Sequence, residues 1–280
     1  MAKLSRWLYS QLRVIGATAR KEFIIFTRYP ANAVLELIEP LMWLTPLYFM
    51  GKAFSAGGHA VGFEGFTGTS DYFSFVMVGA FMSSYIAVAF WGMAYSIEGD
   101  MILGVLEPNW VTPANRVSML LGRSIMFALL TTVQSLGVLL IGALLFNVKV
   151  SGDIFIALLI IVPMLIAILG LGLGLAGIVL AIRRAQTAID MSNWVFSQIS
   201  GMQFPVTVLP KPLMAVALAL PTTYGYDAVR SVLLGTNPLL PMKQEIIILV
   251  TSAIVMCIVG RAVFYAFDRR CRRLGTLGGH

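Results

Sequence analysis

The sequence predicts an all-α membrane protein: six transmembrane helices, an N-terminal amphipathic interface helix, a short cytoplasmic helix between the second and third spans, and a re-entrant helical hairpin before the last span. Three observations predict it. The chain is 58% hydrophobic and only 12% charged, against ~45–50% apolar and ~25% charged in soluble domains. Its 280 residues accommodate six spans at about 20 residues each, with short connections. Lys and Arg gather at the two termini and beside apolar runs, so the net charge of +7 reads as a topology signal and not as nucleic-acid binding.

Residues 1–30 are the first element. Leu8, Leu12, Ile15, Ala19, Phe23 and Phe26 recur at helical spacing, and Arg6, Arg13 and Arg20 lie on the opposite face. Such a helix lies flat at the inner interface, its basic side toward anionic headgroups and Trp7 and Tyr9 at headgroup depth. Pro30 disfavours helical geometry at Tyr29 and turns the chain into the membrane.

The permeation domain is expected over 31–268, with spans at Ala33–Met50, Tyr72–Ile97, Val117–Phe146, Ile154–Ile182, Asn193–Leu209 and Glu245–Phe267. An even count puts both termini on one side. Basic residues precede the first span, Arg183 and Arg184 follow the fourth, and Arg269, Arg270, Arg272 and Arg273 form a basic tail over 269–280, so these ends are cytoplasmic. Residues 52–71, 147–153 and 210–243 then fall outside, and 98–116 inside.

That inner loop has the parts of a stiff lever. Gly99 and Gly104 permit tight turns, residues 105–110 form an apolar ridge beside Glu107, and Thr112-Pro113 can open the next helix. Leu106, Glu107, Trp110 and Thr112 are the docking candidates for a cytosolic partner. On the other side, Pro205, Pro210, Pro212 and Pro221 interrupt an apolar stretch over 205–235, which cannot remain one helix with so many donors missing. Asp227 and Arg230, three residues apart on one helical face, can pair. On the fourth span Gly170, Gly174 and Gly177 form a stripe suited to close helix packing.

Glu36 and Glu39 are carboxylates within the first span. They either pair with Arg28, Arg183 or Arg184, or serve cargo or protons. Gly51-Lys52 lacks the flanking residues of a phosphate-binding loop. His59 and His280 are isolated, the two cysteines, Cys257 and Cys271, have no metal-ligand spacing, and no nucleophile elbow is present. No catalytic residue, metal site or cofactor is therefore expected in this chain.

Gly104, Leu106 and Glu107 followed by Thr112-Pro113, the Arg28…Pro30 exit of the first helix, Gly201…Phe204-Pro205, Leu209-Pro210, and Pro221…Tyr224…Asp227-Ala228…Arg230 together resemble type-2 ATP-binding-cassette (ABC) transporter permeases over most of the chain. In that family a basic residue more often precedes the loop, where this chain has Gly99-Asp100. The resemblance implies that 98–116 is the coupling helix and that two copies of a separate ABC ATPase, carrying the ATP and Mg, dock there. It also implies a second permease copy, membrane lipid as surroundings, and a bacterial or archaeal inner membrane. The second and fifth spans would line the pathway through Phe81, Tyr85, Phe90, Trp91, Trp194, Phe196, Gln198, Gln203 and Phe204. Pro205, Pro210, Tyr224, Asp227 and Arg230 would form an outer gate. The activity so implied is ATP-driven export of an amphipathic or hydrophobic drug, lipid or glycan by alternating access. The rival readings are an ion-coupled secondary carrier using Glu36 and Glu39, and a non-transporting anchor or sensor subunit.

Overall fold

The computed structural model describes residues 2–53, 55–56, 59–60, 63–69, 71–146, 152–182 and 185–275, without the side chains of 2–5, 32–33, 36–37, 55–56 and 59–60. Arg183, Arg184, His280, most of the 147–153 turn and the side chains of Glu36 and His59 thus lie outside the described residues. Apart from a two-residue antiparallel pairing (Ser55–Ala56 with His59–Ala60), the described residues are helical or in turns.

The helices are α1 (Ala2–Arg28), α2 (Pro30–Ala53), α3 (Glu64–Thr67), α4 (Tyr72–Ala89), α5 (Ser96–Ile102), α6 (Leu106–Val111), α7 (Arg116–Phe146), α8 (Ile154–Val179), α9 (Gln186–Ile199), α10 (Lys211–Ala219), α11 (Pro221–Leu234) and α12 (Met242–Leu274). A π-helical segment, Phe90–Tyr95, joins α4 to α5, so that Tyr72–Ile102 runs as one rod of 31 residues.

Among the described residues four helices are long and apolar enough to cross a bilayer: Tyr72–Ile102, α7, α8 and α12. This is a multi-pass membrane protein. The expected count of six depends further on α2 and α9. The span expected at 193–209 is not one helix: α9 covers Gln186–Ile199, and the chain then turns through Gly201 at φ +92°. Its 14 residues reach ~21 Å, short of a ~30 Å hydrocarbon core. α12 continues through Leu274, so Arg269, Arg270, Arg272 and Arg273 belong to its last turns and not to a separate tail.

The centre of the fold is the Tyr72–Ile102 rod, whose Val76, Met82, Ile86, Met93 and Ile97 are fully buried against α7, α8 and α11. The glycine stripe on α8 meets α12 of the same chain. A Cβ at Gly260 would fall 1.8 Å from the Gly170 carbonyl oxygen, and one at Gly177 2.6 Å from Phe264 Cα. Such approach lets backbone pack on backbone where lipid offers no hydrophobic drive. Gly260→Val is expected to push α8 and α12 apart and cost ~3 kcal/mol, read as a lower thermal unfolding midpoint in detergent; an unchanged midpoint would refute the packing.

α1 lies along α7. Gly122 makes room for it: a Cβ there would sit 2.6 Å from the Ile15 carbonyl oxygen. Ser118 Oγ donates to Gln11 Oε1 at 2.6 Å, and Arg123 pairs with Glu22 at 3.4 Å. Arg6, Arg13 and Arg20 are exposed, while Ile15, Ala19 and Phe26 are half-buried.

Candidate coupling segment and membrane groove

Gly104, at φ +67°, supplies the turn between α5 and α6, where the Val105 N–H donates to the Asp100 carbonyl at 2.9 Å. Nothing lies within 4 Å of a Cβ there, so the requirement for glycine is the backbone conformation alone. Gly99 lies within α5 and makes no turn. Helix α7 begins at Arg116, with Asn115 Oδ1 accepting from the Val117 N–H at 2.9 Å. The helix start expected at Thr112-Pro113 therefore falls three residues later. The Thr112 hydroxyl instead donates to the Asn109 carbonyl at 2.7 Å, closing α6.

The ridge expected from Leu106 and Trp110 faces inward. Leu106 is 1% exposed and Trp110 8%, whereas Leu103 is 75% and Val111 86% exposed. Ile102, Leu103 and Val111, with exposed Glu107 beside them, form the free surface. The reason is a polar anchor. Trp110 Nε1 donates at 3.0 Å to Asp268 Oδ1 near the end of α12, and Asp268 Oδ2 takes Arg272 at 2.8 Å and Arg116 at 3.4 Å. Arg116 also donates to the Trp110 carbonyl at 3.0 Å. Asp268 has no exposed surface, so three donors offset the desolvation of its charge.

Two further ties hold α5. Glu98 Oε1 accepts from the Ala185 N–H at 3.0 Å, linking α5 to the α8–α9 connection. Asp100 takes Arg123 of α7 at 2.9 Å and Asn109 at 3.4 Å. α5 and α6 are thereby tied to α12, α7 and the α8–α9 connection at once. Sequence reasoning missed Asp268, Arg116 and Arg123. Their signals were present: Asp268 is an acid directly before a cluster of four arginines, and Arg123 is a charge inside an apolar run.

Elsewhere, α9 stops before Gly201, Pro205 precedes a 3-10 turn (Val206–Val208), and Pro210 opens α10. α10 and α11 join through Leu220, and α11 caps α10: Thr223 Oγ1 donates to the Ala217 carbonyl at 2.6 Å and the Tyr224 hydroxyl to the Leu218 carbonyl at 2.8 Å. Tyr224 and Tyr226 are both buried.

Asp227 and Arg230 do not pair as expected from their spacing. The buried Arg230 donates to the carbonyls of Phe75 (3.2 Å), Gly201 (2.6 Å) and Met202 (2.7 Å), with its guanidinium 3.5 Å over the Phe75 ring. The Asp227 carboxylate accepts from the Leu239 N–H. Carbonyls left open where α9 ends pull the guanidinium away from the carboxylate. Arg230 thus rivets the 201–202 turn to α4. A cavity of ≈ 30 Å³ beside it, lined by Thr67, Asp227, Arg230 and Thr236, is about the size of one water.

The aromatic candidates divide. Tyr85 and Phe90 are buried, Tyr85 donating to Thr132 of α7 at 3.0 Å and Phe90 stacking on Phe196 at 5.4 Å. Phe81 and Trp91 instead line an open-sided groove of ≈ 470 Å³ between α2, α4 and α7, which Asn193 of α9 also borders. Trp91, Phe127 and Gln134 are shared with an adjoining cavity of ≈ 380 Å³ bounded by α1. Trp91 lies in the π segment, a local widening of the helix often found at functional sites. Trp194 is exposed on α9, and Gln198, Gln203 and Phe204 are half-buried outside the groove lining.

Among curated proteins no significant match to the chain was found. A family profile described as ABC-2 type transporter matches residues 13–234, a stretch that includes α5 and α6, the groove helices and the α10–α11 pair. The chain therefore belongs to the ABC-2 type transporter family, as a membrane permease component of an ABC transporter that works with an ABC ATPase.

Proposed function

We propose that this chain is the permease half of an ATP-driven exporter, carrying an amphipathic or hydrophobic drug, lipid or glycan out of the cytoplasm or inner leaflet by alternating access. Two copies would assemble with two copies of the ATPase in a bacterial or archaeal inner membrane, both termini cytoplasmic. ATP and Mg belong to the ATPase, and this chain supplies the pathway and the lever. α1, with Arg6, Arg13 and Arg20 exposed, lies at the inner interface in this reading.

The observation that carries the reading is the two-faced coupling segment: Ile102, Leu103, Glu107 and Val111 free on one side, Trp110 tied to Asp268 on the other. A partner gripping the free side moves the end of α12 without first deforming the loop. Closure of the ATPase pair would draw α5 and α6, and through them α12 and α7, reorienting the groove. The α10–α11 pair, held by Arg230, is the outer gate.

Purification in mild detergent from the native membrane tests this. A stoichiometric partner bearing a phosphate-binding loop is expected, and Leu103→Asp or Glu107→Arg should cut its recovery about tenfold, since a desolvated charge at an interface centre costs on the order of 2 kcal/mol. Should no ATPase accompany the chain, the permease reading falls and an ion-driven carrier becomes the one to test.

A further inference from the structure

Among the described residues Glu39 is the one ionisable group in the lining of the groove between α2, α4 and α7. It sits nine residues beyond the start of α2, about 13 Å along the helix axis, where a carboxylate is costly and is retained for a partner or a function. Among the described residues it makes no ion pair. The charges of the adjoining cavity answer one another instead: Lys21 with Glu22 at 3.0 Å, Arg123 with Glu22 at 3.4 Å and Arg123 with Asp100 at 2.9 Å.

The remaining walls suit one kind of occupant. Phe81, Trp91 and Phe127 offer aromatic faces, and Gln134 and Asn193 offer amides that tolerate a polar edge. Aromatic faces attract cations through the ring quadrupole, most strongly where water is thin. A negative charge, aromatic walls and a volume of ≈ 470 Å³ match a compact molecule with an apolar body and one positive charge. They disfavour an anion of the same shape.

We infer that the Glu39 groove is a binding site for monocationic amphiphiles, which narrows the cargo class under the permease reading on which the inference rests. The cation is held against the Glu39 carboxylate, and its apolar body lies along Phe81, Trp91 and Phe127. Trp91 also borders the adjoining cavity, so cargo enters from the α1 side and moves past the π segment toward Glu39.

The test uses the complex as purified from membrane, with radiolabelled tetraphenylphosphonium as the cation and tetraphenylborate as an anion of nearly the same shape. Saturable binding is expected for the cation, at least tenfold tighter than for the borate. Glu39→Gln should remove that preference, Glu39→Asp should keep it, and Trp91→Leu should weaken cation binding several-fold with little effect on the borate. Equal binding of the two ions, or an unchanged preference in Glu39→Gln, overturns the inference. If Glu39→Gln does not elute as a single species, Trp91→Leu decides, and an unchanged cation preference there overturns it equally. ATPase retention is measured on the same samples. Equal binding of the two ions by the wild-type complex with the ATPase still bound sinks the cargo class alone, whereas an absent ATPase sinks the permease reading.

Discussion

Arg230→Met is expected to leave the chain unstable in detergent, with a large fall in unfolding midpoint. The guanidinium serves the carbonyls of Phe75, Gly201 and Met202, which belong to two segments far apart in sequence. Its loss leaves the Gly201 and Met202 carbonyls of the turn without their guanidinium donor, at ~1–3 kcal/mol each, and takes a second bond from the helical Phe75 carbonyl. Together with lost packing on Phe75, the cost is at least ~3 kcal/mol. Arg230→Lys should not rescue it, because a single ammonium on a flexible stem cannot reproduce a planar fork that reaches three acceptors. Gly79→Ala should behave alike: its Cβ would come 2.3 Å from Arg230 Nη2 and 2.0 Å from the Met202 carbonyl oxygen. Asp227→Asn is the contrasting control, since an amide oxygen still accepts from the Leu239 N–H. A wild-type midpoint for Arg230→Lys would show that the rivet is not needed. Thermal scans and size-exclusion profiles of the four variants side by side make the measurement.

Asp268→Ala should uncouple the protein while leaving its docking surface intact. The exchange removes the acceptor of Trp110 Nε1 and leaves Arg116 and Arg272 without their shared carboxylate. Breaking a buried charge pair from one side costs ~3–5 kcal/mol, concentrated where α6 meets α12. The exposed Leu103, Glu107 and Val111 are untouched. The ATPase should therefore still co-purify, and substrate-stimulated hydrolysis and transport should drop by at least an order of magnitude, as a coupling step that loses a few kcal/mol must. Trp110→Phe, which loses one N–H donor to a charged acceptor, should cost ~1.5–3 kcal/mol and give an intermediate phenotype. Full transport by Asp268→Ala would remove this contact from the force path.

Much of the fold is legible in the sequence because its causes are local. The apolar runs at 72–97, 117–146 and 154–182 each become a long helix with nearly those bounds, since lipid leaves a backbone no alternative to internal hydrogen bonds. The break at Tyr29-Pro30 and the interruptions at Pro205, Pro210 and Pro221 are likewise properties of one ring and one missing donor. The stripe of Gly170, Gly174 and Gly177 announced a close helix neighbour, though not that the neighbour would be α12.

The candidate sites were legible by segment and not by side chain. An amphipathic six-residue helix such as α6 has two apolar edges, and its own sequence does not say which one the rest of the chain will cover. The acceptor that draws Trp110 inward lies 158 residues away. The same holds for Arg230, whose neighbour Asp227 was the nearest charge in sequence but whose partners are carbonyls freed by the turn at Gly201. Phe81 and Trp91 line the groove while Tyr85 turns to Thr132 and Phe90 to Phe196, partners that lie far off in sequence. The sequence by itself determined a multi-pass helical protein of this family and where its helices break, since hydrophobic length and proline act within a few residues. Tertiary structure alone decided which face of each helix is free, because a buried charge or an open carbonyl must find its partner wherever the packed chain puts one.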